Sequence, residues 1–295
     1  MSVDIGITGL AKSGKTTIFN ALIKGKVDTG SVAPHIGAVK VPELRLKILT
    51  DMLHPKRVVP AEVKYIDIGA SAKSWGENKA ISGQFLTQLS DVDALINVVR
   101  AFTDESIPHI EGSLDVKRDI ATMNLELAFS DLAIIERRLT RIETALKGAK
   151  QPERHALLHE REMLIKVKAD LEKDVPIREL NLTTDEARAI ANYQFLTAKP
   201  LLMVVNIGEE QLPQAASLEA ELSSHYSRPK CRLITLCGKL EAELAQLDNS
   251  AAEGFRAEFG IRQSGLERTI KLSYELLGLI SFFTTVSDEI SPSNS

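Results

Sequence analysis

Cysteine is almost missing from this sequence: 295 residues contain two, Cys231 and Cys237. That excludes a disulfide-stapled fold. The two lie on one predicted strand, about 20 Å apart at roughly 3.3 Å per residue, and a disulfide needs Cα atoms within about 7 Å. They read as reduced thiols, which fits a cytoplasmic protein. No stretch approaches the roughly 18 apolar residues of a membrane span, so no membrane partner is expected. Met1-Ser2-Val3-Asp4 leads straight into a predicted strand, so no signal or transit peptide is read there. Neither sign of charge dominates: Lys+Arg 36 against Asp+Glu 40 gives a net charge of -4, with no global pull toward nucleic acid. Internal repeats and low-complexity tracts are also missing. What remains is ordinary globular composition, 44% hydrophobic and 26% charged, long enough for one large domain or two modest ones.

The most informative segment is Gly9-Leu10-Ala11-Lys12-Ser13-Gly14-Lys15-Thr16, which fits G-x-x-x-x-G-K-[ST], the phosphate-binding loop. Its required context is present: Val3–Thr8 reads as a strand before it, and Thr17–Ile23 as a helix after it. Glycines let successive N–H groups curl inward toward phosphate oxygens, and the helix N-terminus adds its partial positive charge. Lys12, Ser13, Gly14, Lys15, Thr16 and Thr17 are therefore expected to bind nucleotide. Lys15 would reach the β- and γ-phosphates, and the Thr16 hydroxyl would ligate Mg²⁺.

Around this loop the first hundred residues alternate strands and helices, as α/β folds do. Candidate strands are Ile36–Val41, Val63–Asp67 and Ala94–Arg100, followed later by Pro200–Asn206 and Cys231–Cys237. Near-continuous apolar runs such as Ala94–Val99 suit a sheet covered on both faces. Between about Leu114 and Lys173 the texture changes. Leu125, Ala128, Leu132, Ile135, Leu139, Ile142 and Leu146 step by three and four, a heptad seam. Lys147–Pro152 breaks the pattern, with Gly148 read as a C-cap, and Leu157, Leu164, Val167 and Leu171 continue on a second helix. The reading is an antiparallel, coiled-coil-like hairpin projecting from the α/β body. A cap at Thr183/Thr184 opens a helix predicted to run to about Phe195. A final helix covers about Gly265–Leu277, and the polar end of the chain is expected to be disordered. His155, His159 and Glu162 have metal-ligand spacing, but read better as a solvated helix face.

Three further segments sit where a Ras-like nucleotidase needs them. Val63–Asp67 ends in an aspartate facing Thr16, suited to holding Mg²⁺. Asn206-Ile207-Gly208-Glu209 is an N-x-x-E variant of the base-reading box. Cys237-Gly238-Lys239 stands where the last box closes over the base. With these in place the chain resembles the YchF subfamily of Obg-type P-loop nucleotidases, the Obg-like ATPases. The matching stretches are Gly14–Leu22, Pro34–Pro42, Thr197–Pro200, Lys239–Leu244 and Ser264–Arg268 running to Tyr274–Ile280. The resemblance covers nearly the whole chain. It implies a mainly parallel α/β nucleotide-binding domain at 1–112 and 197–285, interrupted by a helical hairpin at 113–196, with a disordered tail at 286–295. It also implies Lys15 and Asp67 as catalytic residues, Thr16, Ser31 and Asp67 as Mg²⁺ ligands, and Asn206, Ile207, Glu209, Cys237, Gly238 and Lys239 around the base. An aspartate in the base box accepts two hydrogen bonds from guanine, and adenine offers neither donor at that edge. Glu209 at that place therefore points to ATP, with GTP as the alternative.

The chain also departs from the family pattern. Its switch I loop is shorter, and the metal-ligating threonine aligns with Ser31. The D-x-x-G box reads Asp67-Ile68-Gly69-Ala70, and Ser71 stands where Ras-like enzymes have a catalytic glutamine. Slow hydrolysis, or none, is the expectation. Lys12 replaces an asparagine that helps place potassium in related enzymes, so two readings stand: a lysine turned to solvent, as exposed lysines usually are, or an ammonium that takes the ion's place. The family continues into a small TGS domain beyond the point where this chain stops, which puts ribosome or RNA association in doubt. An unidentified protein partner reached through the hairpin is expected instead. Two other classes compete with a slow ATPase switch: a binding module without turnover, and a small-molecule kinase. The kinase is disfavoured because it would have no use for the base-reading boxes.

Overall fold

The computed structural model describes residues 3–25, 27, 34–68, 83–261, 263–279, 281–286 and 289–294. Ser31 and the Gly69–Ser71 box lie outside the described residues. In chain order the strands and helices are β1 (Val3–Thr8), α1 (Lys15–Leu22), β2 (His35–Lys40), α2 (Leu44–Leu53), β3 (Arg57–Val58), β4 (Glu62–Asp67), α3 (Gly83–Ser90), β5 (Ala94–Arg100), α4 (Val116–Leu146), α5 (Gln151–Leu171), α6 (Thr184–Ala191), β6 (Leu201–Asn206), α7 (Ala215–Tyr226), β7 (Cys231–Leu236), α8 (Gly238–Leu244), α9 (Asn249–Glu258), α10 (Gly265–Leu276), β8 (Ser281–Val286) and β9 (Glu289–Asn294).

The uninterrupted apolar runs form the centre of the main sheet. β5 and β6 are buried at every position. Their side chains alternate between two cores, because strand residues point to opposite faces in turn. Ala94, Ile96, Val98, Leu202 and Val204 join Ile5 and Ile7 against α1 and α10. Leu95, Val99, Leu201, Met203 and Val205 face α4 and α7. The six-stranded order is β2-β4-β1-β5-β6-β7, with only β2 antiparallel to its neighbour. The carboxyl ends of β1, β4, β5, β6 and β7 therefore open along one edge, where α/β sheets bind ligands.

The change in texture after Leu114 corresponds to two long helices. Asp115 caps α4 by accepting from the Arg118 N–H. Residues Ala128, Ile135 and Ile142 of the predicted seam are buried against Met163, Leu164, Val167 and Leu171 of α5. Bonds from Arg138 to Glu160 and from Lys168 to Glu136 align the helices antiparallel. Leu125 differs from its heptad partners in being 41% exposed, because α4 leaves its partner helix near that point. Gly148 is not a left-handed cap; the last turn of α4 ends at Lys147, in right-handed conformation. Pro152 sits in the first turn of α5, where a missing N–H costs nothing, so it starts a helix instead of stopping one.

Two other expectations need correction. The helix capped by the Thr183–Glu186 box ends at Ala191, four residues before Phe195. Phe195 is buried in the hairpin core with Ile177 and Ile190, which turns the chain inward early. The tail expected to be disordered from 286 instead contains β9, which pairs with β8 and with β3 in a second sheet of order β3-β9-β8. Ladder hydrogen bonds come from backbone groups, so a polar strand can pair when a partner is brought from far away in sequence. Pro292 lies opposite Phe283 and beyond the short β3 pairing, so its missing N–H interrupts no bond to β3.

Candidate functional site

The loop after β1 follows a path that its residue types explain. Gly9 has φ 142 and Gly14 has φ 95. A Cβ on Gly9 would meet the Val98 carbonyl oxygen at 2.3 Å, and one on Gly14 would meet Asn206 Nδ2 at 2.2 Å. Only glycine fits either place. Lys12 also adopts a left-handed backbone, φ 62, and is exposed. Gly14 then starts α1 as its N-cap, so the first N–H groups of the helix have no partner within it and face the crevice.

Lys15 is buried and folds back over the loop, its Nζ donating to the carbonyls of Gly9 at 3.0 Å and Leu10 at 2.9 Å. Burial lowers its pKa to about 8, and the Asp67 carboxylate opposes that shift. Thr16 Oγ1 donates to Asp67 Oδ2 at 2.8 Å, joining the start of α1 to the end of β4. Asp67 is buried, and among the described residues its other oxygen, Oδ1, has no partner, nor does the Ser13 hydroxyl. An unpaired buried carboxylate oxygen on Asp67, beside the Thr16 hydroxyl, supplies hard oxygen donors of the kind Mg²⁺ takes, so these residues fit that ion. Thr17 is exposed at the same end of the helix.

The residues expected around the base come together from three elements. Asn206, at the end of β6, donates from Nδ2 to the Ser13 carbonyl at 3.0 Å and accepts at Oδ1 from the Gly238 N–H at 2.9 Å. One amide thus clasps the P-loop to the start of α8. Ile207 is buried beneath it, and Cys237 caps α8 as a buried thiol whose pKa burial pushes up. Glu209 pairs with Lys239 at 2.9 Å across the opening, with the two side chains 41% and 73% exposed. Lys12, Ser13, Gly14, Lys15, Thr16, Asp67, Asn206, Gly238, Glu209 and Lys239 thus line one edge of the sheet.

Sequence reasoning missed the loop after β5. Arg100 ends that strand and stacks over the Phe102 ring at 4.4 Å, while its guanidinium donates to the carbonyls of Phe102 and Ile107. The Phe102 ring reaches the position a Cβ on Gly14 would occupy, at 4.0 Å, so this loop forms a wall of the crevice. The available signal was the single charged residue, an arginine, closing a buried strand.

A protein of Bacillus subtilis named as the ribosome-binding ATPase YchF is 35% identical to this chain over 297 residues, covering 98% of this chain and 80% of the relative. This chain belongs to the YchF family. A YchF of Pasteurella multocida, also named as a ribosome-binding ATPase, is 31% identical over 295 residues, with the same coverage of both chains. The solved structure of the Schizosaccharomyces pombe YchF GTPase superposes with a TM-score of 0.84 at 28% identity, covering 99% of this chain and 80% of that one. No family model matches the chain. The expectation that the ribosome is a doubtful partner is overturned here. Relatives named for ribosome binding match this YchF chain across 98% of its length.

Proposed function

We propose that this chain binds ATP and hydrolyses it slowly as a nucleotide-controlled switch. The observation that carries this reading is the joining of Thr16 to Asp67 at 2.8 Å beside the buried Lys15, at the mouth of a glycine-built phosphate loop. In this reading the α1 amides and Ser13 hold phosphate oxygens, and Lys15 leaves the Gly9 and Leu10 carbonyls to meet the β- and γ-phosphates. Thr16 and Asp67 would hold Mg²⁺, which supplies charge neutralisation on the phosphate chain. Asn206 keeps the phosphate and base ends of the crevice in register.

ATP is favoured over GTP because the Glu209 carboxylate is longer than an aspartate and is engaged by Lys239 at 2.9 Å. Guanine needs an uncommitted acid there for its two donors, and adenine does not. The test is the ATP-to-GTP affinity ratio before and after Glu209→Asp. A shift of about tenfold toward GTP is expected, the worth of one to two hydrogen bonds; an unchanged ratio contradicts this account of base selection. The reading extends to the ribosome as partner and to the cytoplasm as location, supported by the names of the relatives. Sedimentation with ribosomes on a sucrose gradient, with and without ATP, tests the partner: the chain should travel with ribosomal particles in one nucleotide state more than in the other.

A further inference from the structure

Away from the nucleotide crevice, a cavity of about 200 Å³ lies where the hairpin meets the α/β body. Ile120 and Leu127 of α4, Leu171 of α5 and Val175 supply apolar walls. Small-molecule sites have this composition when a few polar groups converge on them, and such groups are present. Arg178 lines the cavity, is only 7% exposed, and has an Nε without a partner among the described residues. Its Nη1 donates to the Thr197 carbonyl at 3.2 Å, and the Cys231 thiol is a second hydrogen-bonding neighbour. Asp131, Glu179 and the Cys231 thiol influence its titration, yet among the described residues no carboxylate comes within 4.0 Å of it as an ion pair. A buried cation in that position is costly unless something completes its shell. The side-chain Oδ1 of Asn124, also in the cavity lining, is buried without a partner among the described residues. Asp174, exposed at the rim with a left-handed backbone, adds a carboxylate.

One cationic donor, one buried acceptor, one acid at the mouth and apolar walls between them are the complement of a small zwitterion. We propose that this cavity binds a free α-amino acid with an apolar side chain: the carboxylate on Arg178, the ammonium toward Asn124 and Asp174, the side chain among Ile120, Leu127 and Leu171. The nucleotide site plays no part in this inference, so each can fail alone.

Titration calorimetry of the full chain with L-leucine tests it, alongside 4-methylpentanoate, which lacks the ammonium, and 3-methylbutylamine, which lacks the carboxylate. Leucine should bind saturably with one site per chain, and each analogue at least about tenfold more weakly, as expected when a charged partner is lost from a buried pair. Arg178→Gln should weaken leucine by at least about tenfold while ATP affinity stays within about twofold. Should that variant fail to fold, Ala121→Trp, which fills the cavity from the exposed side of α4 and removes no polar group, should abolish leucine binding alone. No saturable binding of leucine, binding of the amine as tight as that of leucine, or undiminished binding in Ala121→Trp would overturn the proposal.

Discussion

Asn206 ties together two pieces of chain that are far apart in sequence, the P-loop at Ser13 and the start of α8 at Gly238. Removing its side chain leaves a buried carbonyl and a buried N–H unpaired. Asn206→Ala should therefore lose about 2–3 kcal/mol of stability in urea unfolding, and ATP affinity should fall by at least about tenfold as the loop loosens. Lys15 gives a pH signature. Its folded value of about 8 lies below the ordinary lysine value of 10.5, so the charged form opposes folding. That penalty is relieved above pH 10.5 and is felt in full as pH falls through 8. A bound triphosphate reverses the balance by pairing with the ammonium, so that above pH 8 binding requires Lys15 to take up a proton. ATP affinity should accordingly drop about tenfold between pH 7 and pH 9, and a titration across that range with Lys15→Ala as control should show a flat profile for the variant. The positions of Lys15 and Thr16 are legible in the sequence through the spacing of the P-loop, and that of Asp67 through its place at the end of a predicted strand. The clasp by Asn206 and the Phe102 wall are not, because both depend on which strand ends meet across the sheet.

The hairpin is held to the body by an element whose purpose the sequence did not disclose. Thr197-Ala198-Lys199-Pro200 stood out only through family resemblance. In the structure Asp131 of α4 accepts from the Leu196 N–H, the Thr197 N–H and the Thr197 hydroxyl, at 2.8, 2.8 and 2.7 Å. Lys199 Nζ reaches back to the carbonyls of Ser90 and Val92. Burial raises the Asp131 pKa to about 6 from 3.8, against the pull of those hydrogen bonds. A raised carboxylate contributes stability that is complete below pH 3.8 and lost as pH rises through 6. Asp131→Ala should remove that dependence, lower stability by about 3 kcal/mol, and speed amide hydrogen exchange at Leu196 and Thr197, leaving ATP affinity within about twofold. An unchanged exchange rate would show that the hairpin is anchored elsewhere. Strand positions were read closely because continuous apolar runs mark them. β9 was missed because its polar composition carries no such mark, although its main partner β8 ends only three residues before it.

At the scale of the whole molecule, the sheet order turns scattered boxes into one site. β1, β4, β6 and β7 deliver the P-loop, Asp67, Asn206 and the Cys237-Gly238-Lys239 turn to the same edge. The packing between α8 and α10 is part of this arrangement. Glu241 accepts from the Gly265 N–H at 2.6 Å and from the Ser264 hydroxyl at 3.2 Å. Glu219 takes the Thr235 N–H at 2.7 Å and pairs with Arg268. These links give a physical reason for the Leu240–Leu244 and Ser264–Arg268 parts of the resemblance, which hold the Cys237-Gly238-Lys239 turn in place. The central claim, that this edge turns nucleotide over, meets its most direct test in a single-turnover experiment with γ-labelled ATP and Mg²⁺ at enzyme excess. Slow first-order phosphate release that is abolished by Lys15→Ala is the predicted result. Saturable ATP binding with no release beyond that of Lys15→Ala would contradict it and leave a nucleotide-binding module without turnover.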